Sequence, residues 1–518
     1  MKRMILDSKA FPRIVGIAFA LAAISPLLLA WFFPSGPGFF HVRFNAWFVY
    51  SLSGVLLLLD GIACWLWYQL RKTSRDLTDL AGQPLGEEIP AVYGHTHLAR
   101  AEFLALIQIL FRRPPDVKYV HVRPLPGGYG GSTTVLAQLQ REQSTGPLPR
   151  SFVVKLGRER EMADEHDKFQ EYVQWRLNRA ATFFRYAQWK DCAGIAYEFV
   201  GLDLDSEIQS FYQFYQGHAA VEVSELIKQI HTHLRQAWYR RGQKVPADLY
   251  QEYDLLNEKR ELIIGHVGEL VDEADPYRAN FTAIEERLQP NLRPDFCPPL
   301  DHVGWYDPVA FLRTWLRRSL NVPIYRSVVH GDLHARNVLV EIGRDGHKRV
   351  WFIDFSHTGN GLSGHRTREA IRRGFPLSPN LGHTLRDFSR LEASVKFVLT
   401  RLEDDEDLRR AVAFEDALMS ARETPGRSAL DNLPAAPPPI EALGDERFQK
   451  AWRVVREIRC RAAAYLANAD DLRPYYMSLL HATLATVYYH PDQFESEACE
   501  RQQKRYALIS AGMLCARL

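Results

Sequence analysis

The sequence predicts an α+β chain: two apolar N-terminal helices, then a two-lobed domain, strand-rich first and helical afterwards. Three observations carry this. Ile14 to Phe33 and Ala46 to Leu70 are almost wholly apolar, and about 20 such residues are enough for one bilayer crossing. Residues 119–198 break into short apolar strands punctuated by glycines, and most of the chain beyond them has helical periodicity. At 518 residues the chain has room for a helical hairpin and one two-lobed domain. Its net charge of +2 offers nothing to a nucleic acid, and no basic, aromatic-interleaved patch stands out. Six scattered cysteines (Cys64, Cys192, Cys297, Cys460, Cys499, Cys515) lack metal or disulfide spacing and suit a reducing compartment.

The N-terminal part, residues 1–72, reads as a transmembrane hairpin with spans at about 14–33 and 46–70. Trp and Tyr stand near the ends of the second stretch as interfacial anchors, and Pro26 is tolerable inside a span. Asp60 has two readings, a functional intramembrane carboxylate or one satisfied by an interface or a helix partner. Lys2, Arg3, Lys9 and Arg13 precede the first span, Arg71, Lys72 and Arg75 follow the second, and only Arg43 lies between. The positive-inside rule then puts both ends, and the domain behind them, in the cytoplasm. Residues 73–117 form a tether in which AEFLALIQILFRR is a helix lying on the membrane or on the following domain.

Residues 118–200 are the strand-rich lobe. YVHVRPLPGGYGGSTTVLAQL reads as strand, glycine turn, strand. Gly127, Gly128, Gly130 and Gly131 let the backbone approach a phosphate closely, and Ser132 offers a hydroxyl. Thr133 falls where a third glycine would complete GxGxxG. SFVVKLG is an alternating strand carrying one cation, Lys155, and the helix after it repeats apolar residues at Met162, Phe169, Val173 and Leu177. Glu165 falls near the buried face of that helix, so it is the chosen partner for Lys155, with Glu161 one turn earlier left open. CAGIAYEFVGLDL is a strand running into a turn.

Residues 201–518 are the helical lobe. Trp238, Tyr239, Trp305, Tyr306 and Trp315 are pocket candidates, although aromatics at helical spacing are more often core. His231 and His233, like His95 and His97, are two apart, and on a helix such residues do not share a face, which argues against zinc.

The most informative run is His330-Gly331-Asp332-Leu333-His334-Ala335-Arg336-Asn337, followed by VWFIDFS with Asp354 at the end of an apolar strand. The spacing fits a phosphotransfer loop: one carboxylate meets a hydroxyl, while an amide and a second carboxylate hold magnesium against phosphates. HGDLHxxN followed by IDF resembles the aminoglycoside phosphotransferase and choline kinase family, protein-kinase-like enzymes that mostly act on small molecules; the likeness runs from about Lys118 to the C-terminus. It implies a bilobal protein-kinase-like fold with an α-rich C-terminal lobe, ATP and Mg2+. Lys155 then bridges the α- and β-phosphates under the 127–132 loop, and Glu198 through Val200 face adenine. Asp332 is catalytic, Asn337 and Asp354 bind metal, and His330 props the loop. Gly331 stands where protein kinases place an arginine that reads an activation-loop phosphate.

The implied partner is a hydroxyl-bearing acceptor of unread identity, with the membrane reached through the N-terminal helices. No nucleic acid is expected, and a protein partner stays open. A membrane-tethered nucleotide-binding regulator or scaffold without turnover is the alternative, prompted by DFS in place of DFG. SHTGNGLSGHRTREAIRRGF reads as a mobile loop, Asp387 and Glu392 as structural (the first orienting the catalytic loop or capping the helix), and ARETPGRSALDNLPAAPPPIEALG as an exposed linker or loop.

Overall fold

The computed structural model describes residues 98–111, 117–124, 132–141, 151–177, 180, 182–198, 207–253, 308, 311, 319–362, 367, 372, 378, 380–420, 428–435 and 444–518. Helix α1 (Arg100–Phe111) precedes five strands: β1 (Val117–Pro124), β2 (Thr133–Arg141), β3 (Ser151–Arg158), β4 (Thr182–Trp189) and β5 (Cys192–Glu198). These form one antiparallel sheet ordered β1-β2-β3-β5-β4. Helix α2 (Glu159–Lys168) interrupts it between β3 and β4, then widens into one π-helical turn, Phe169–Val173.

Side-chain alternation in β3 sorts its residues between two cores. Phe152, Val154 and Leu156 pack under α1 with Phe103, Leu106, Ile107 and Leu110. Val153 points the other way, into the core that holds Met162 and Phe169 of the α2 segment. Lys155 shares the Val153 face, so the pleat aims it toward α2 rather than solvent. Because both faces are covered, β3 is buried without a break from Phe152 to Gly157. The AEFLALIQILF helix therefore lies on the outer face of the sheet, not on a lipid surface. Arg185 Nη1 donates to the Leu110 carbonyl at 3.0 Å and closes its C-terminus. At Gly194 a Cβ would stand 2.5 Å from Leu156 Cδ2 and 3.1 Å from Leu110 Cδ1, so glycine permits this close seating.

The helical lobe begins with β6 (Glu207–Ser210), α3 (Phe211–Gly217), α4 (Ala220–Ala237) and β7 (Gln243–Asp248). It continues through β8 (Asn321–Ser327), β9 (Val338–Ile342), β10 (Lys348–Phe352) and β11 (Gly382–His383). Its helices are α5 (Leu385–Ser394), α6 (Asp405–Met419), α7 (Glu446–Ala463), α8 (Arg473–Val487) and α9 (Glu497–Cys515). Two three-stranded sheets, β10-β9-β6 and β11-β8-β7, flank the loop at 328–337. Helix α5 is buried along almost its whole length, with α7, α8 and the α9 end of the lobe around it. Asp404, Asp445 and Ser496 cap α6, α7 and α9 through their side chains.

Three expectations change. The stretches at 14–33 and 46–70 lie outside the described residues, and among the described residues no helix is long and apolar enough to cross a membrane. The transmembrane part of the expected fold class, and the two-span membrane location, are therefore withdrawn in favour of a mixed helix and sheet fold. Among the described helices, α8 has 15 residues, short of the roughly 20 a bilayer needs. Helix α9 has 19 but carries Glu497, Glu500, Arg501, Lys504 and Arg505. The linker is also corrected: Ser428, Ala429, Leu430 and Leu433 are buried. Trp452 Nε1 and Arg456 Nε hold that segment by donating to the Pro434 and Leu433 carbonyls at 3.0 and 2.9 Å.

Leu106 is fully enclosed beneath α1. Leu106→Ala should cost about 2–5 kcal/mol in urea unfolding, as large-to-small core substitutions do. His383 is buried against Tyr253, and burial, with Arg386 and Arg326, pushes its pKa down to about 3. An unfolded imidazole takes its proton near 6.5, so the stability of the neutral native form is lost as pH falls from about 6.5 toward 3. His383→Gln should flatten part of that decline in urea midpoints.

Candidate active site

Lys155 enters the space between the lobes from β3 with its Nζ 2.7 Å from Glu165 Oε2 and 2.7 Å from Asp354 Oδ1. Glu165 is fully buried; its other oxygen accepts from the Tyr197 hydroxyl at 3.1 Å and the Phe355 amide at 3.4 Å. Burial opposes the charge on Lys155, but the two carboxylates outweigh it and hold its pKa above the usual lysine range. For Asp354, burial pushes up while Lys155 pulls harder, leaving the carboxyl well below its usual range.

Asp354 itself has φ +62°, a left-handed conformation rare outside glycine. The surroundings hold it there. Phe355 packs edge-on against Phe169 at 5.5 Å and lies 5.5 Å from His330, while Ser356 Oγ donates to Asp354 Oδ1 at 2.7 Å. Lys168, one turn beyond Glu165, donates to the Ser356 and Leu362 carbonyls at 2.8 and 2.5 Å. Residues 356–362 are thus packed and tied to α2, correcting the mobile-loop expectation for this part.

The 330–337 loop is held from below. Asp387 on α5 accepts from the His330 and Gly331 amides at 2.8 Å each and from the Tyr239 hydroxyl at 2.7 Å. Gly331 has φ +85°, and a Cβ there would run into the His357 carbonyl and sit 2.7 Å from Gly361 Cα. The position has no room for an arginine. Asn337 Nδ2 donates to the Asp332 carbonyl at 2.9 Å, which fixes the amide. Asp332 Oδ1 accepts from Arg390 Nε at 2.9 Å and lies 2.8 Å from Arg390 Nη2. His334 Nε2 stands 3.6 Å from Oδ2. Burial alone would raise the pKa of Asp332, but Arg390, His334 and His357 together keep it well below the carboxylate range. Burial lowers His334 to about 4, so it is neutral at pH 7.

A cleft joins these parts. Thr134, Val153, Lys155, Glu165 and Tyr197 line it from the sheet side; Ile208, Gln209, Ser210, Gln213, Arg336, Asn337, Leu339, Ile353 and Asp354 line it from the helical lobe. Apolar Val153, Ile208, Leu339 and Ile353 suit a flat ring, and the ionic end suits phosphates. The donor set also fits magnesium. Asp354 and Asn337 offer hard oxygens, and Lys155 leaves the Glu165 and Asp354 pair with one excess negative charge. Magnesium characteristically takes one or two protein oxygens and completes its shell with water and phosphate.

The expected site residues divide clearly. Lys155, Glu165, Asn337 and Asp354 meet in the cleft, Asp332 adjoins it through Asn337, and Glu161 is exposed. Ser132 is buried beside Gly157, whose Cβ would lie 3.2 Å from it, and does not line the cleft. Glu198 ends β5, half-buried. Gly127, Gly128, Gly130, Gly131 and Val200, with Trp305, Tyr306 and Trp315, lie outside the described residues. Trp238 and Tyr239 belong to the core. Arg390, Tyr197 and Lys168 escaped the sequence reading, although Lys168 and Arg390 each sit one turn after a residue singled out there, Glu165 and Asp387.

The model of one family, Ternary complex associated domain 9, matches residues 117–293 and 265–364. No curated protein matches the chain. Among solved structures, a crystal structure from Ralstonia eutropha JMP134, whose assignment as an aminoglycoside phosphotransferase is itself provisional, aligns at 12% identity and TM-score 0.33. The alignment covers 79% of this chain and 97% of that one. Strand order, the Lys155–Glu165 pair and the Asp332–Asn337–Asp354 constellation define the class: a kinase-like fold.

Gly331→Ala should lower stability by about 1–3 kcal/mol, the range for strained backbone positions. Thermal unfolding measures it, and an unchanged midpoint would contradict the crowding at His357.

Proposed function

We propose that the chain is an ATP-dependent phosphotransferase that moves the γ-phosphoryl group to an alcohol. One observation supports this above the rest: a loop amide, a turn carboxylate and a buried Lys–Glu pair, far apart in sequence, converge on one cleft, with the loop carboxylate Asp332 adjoining it through Asn337. In this reading Lys155, held straight by Glu165, grips the α- and β-phosphates. Asn337 and Asp354 would hold magnesium, which when bound neutralises phosphate charge. Asp332 accepts the proton of the acceptor hydroxyl. The new bond forms between that oxygen and the γ-phosphorus, the bond to the β–γ bridging oxygen breaks, and ADP leaves with the electron pair. Such transition states are loose, so Asp332 serves by position and ionisation more than by base strength.

A second reading, a nucleotide-binding regulator without turnover, has its own support. Ser356 and Lys155 both engage Oδ1 of Asp354, which occupies half of the carboxylate. The matching family's description also speaks of a ternary complex.

Magnesium-dependent ATP binding and turnover separate the two. Asp332→Asn should bind ATP as the unaltered chain does and lose turnover by about 100-fold or more, the scale of a general-base contribution. Asp354→Ala should weaken the magnesium dependence of binding. Binding with no turnover in the unaltered chain, across an acceptor screen, would favour the regulator.

A further inference from the structure

Helix α5 reads the catalytic loop with one face. Asp387, Arg390 and Ser394 are three and four residues apart, the spacing that stacks side chains on one side of a helix. Asp387 takes the His330 and Gly331 amides. Ser394 Oγ accepts from the Ala335 amide at 3.2 Å. Between them, Arg390 reaches the one side chain in the loop placed to meet an acceptor, with Nε 2.9 Å and Nη2 2.8 Å from the same oxygen of Asp332. Its guanidinium is braced in turn, 5.2 Å from the Tyr489 ring centroid. Arg386, on the neighbouring stripe of α5, turns elsewhere and bonds the Gly361 and Glu252 carbonyls at 3.0 and 3.1 Å. The contact with Asp332 is therefore a property of the Arg390 position and not of arginine on this helix generally.

Resting on the phosphotransfer reading, we propose that Arg390 is the positioning residue of the reaction, pinning Oδ1 of Asp332 so that Oδ2 is presented to the acceptor hydroxyl. Three features converge on this. Nε donates to Oδ1 and Nη2 stands 2.8 Å from the same oxygen, which holds the carboxylate's orientation and leaves Oδ2, 3.6 Å from His334 Nε2, to be presented to the substrate. Histidine occupies the loop position two after Asp332, so the loop brings no permanent cation of its own there. The planar fork of arginine, braced by an aromatic ring, holds a direction that a lysine ammonium does not.

The test uses the full chain with magnesium and ATP, water as acceptor, and inorganic phosphate release as the measure. Arg390→Gln should lower kcat roughly 10- to 100-fold, the scale of a small misplacement of a catalytic group, with the ATP dissociation constant unchanged. Arg390→Lys should recover part of the rate. In the cycle with Asp332→Asn, the double variant should be no slower than Asp332→Asn alone, because Arg390 acts only through Asp332. A merely structural arginine would instead lower the thermal midpoint, weaken ATP binding and add its loss to that of Asp332→Asn. Unchanged or faster turnover in both Arg390 variants, while the unaltered chain is active, overturns this proposal alone. Absence of phosphate release from the unaltered chain overturns it together with the phosphotransfer reading.

Discussion

One lysine between two carboxylates organises the site. Lys155 comes from a strand of the sheet, Glu165 from the helix beside it and Asp354 from the turn after β10, so a single ammonium joins three elements. Buried charges persist only when paired and hydrogen-bonded. Removing Lys155 leaves two carboxylates facing each other uncompensated inside protein, where an unpaired charge is expensive. That constraint sets where α2 lies, why Glu165 also takes the Tyr197 hydroxyl and the Phe355 amide, and why Asp354 tolerates a left-handed backbone. The helical lobe repeats the device away from the cleft. Arg459 bonds both oxygens of Glu392 at 2.9 and 2.7 Å, and Lys396 stands 2.7 Å from Glu415, all of them buried, with Tyr475 and Tyr506 adding hydroxyls to the two carboxylates. These groups join α5 with its π-helical continuation, α6, α7, α8 and α9, and fix the helices' register against one another.

The parts of this site that could be read from the sequence are those whose chemistry forces a spacing. The loop from His330 to Asn337 and the strand ending at Asp354 are such parts, and the periodicity around Phe169 singled out Glu165. Asp387 was legible from the family resemblance as orienting the loop or capping the helix, although which backbone amides it takes could be known only from the fold. Arg390 was not legible. RDFSRLEAS offers two arginines at helical spacing, and only three-dimensional packing turns one toward Asp332 and the other toward Gly361 and Glu252.

Apolar runs left alternatives open for a related reason. Hydropathy records that a surface avoids water without saying what covers it. AEFLALIQILF is apolar because it roofs a β-sheet, and the ALDNLP stretch, for all its turn formers, is seated against Trp452 and Arg456. Short strands such as β3 look half-exposed by alternation, yet both faces are covered once α1 is in place. Burial on the second face is a tertiary fact that a local pattern does not contain.

Lys168 gives the arrangement a further property. It is the second anchor between α2 and the segment after Asp354, placed one turn beyond the Glu165 anchor, while Tyr172 adds a third contact against Gly359, whose Cβ would stand 3.1 Å from its ring. Three attachments along two turns make the helix and the segment a single lever with no internal joint. Tilting α2 would break the ion pair, the carbonyl clamp and the ring contact together, so disassembly of the site is cooperative.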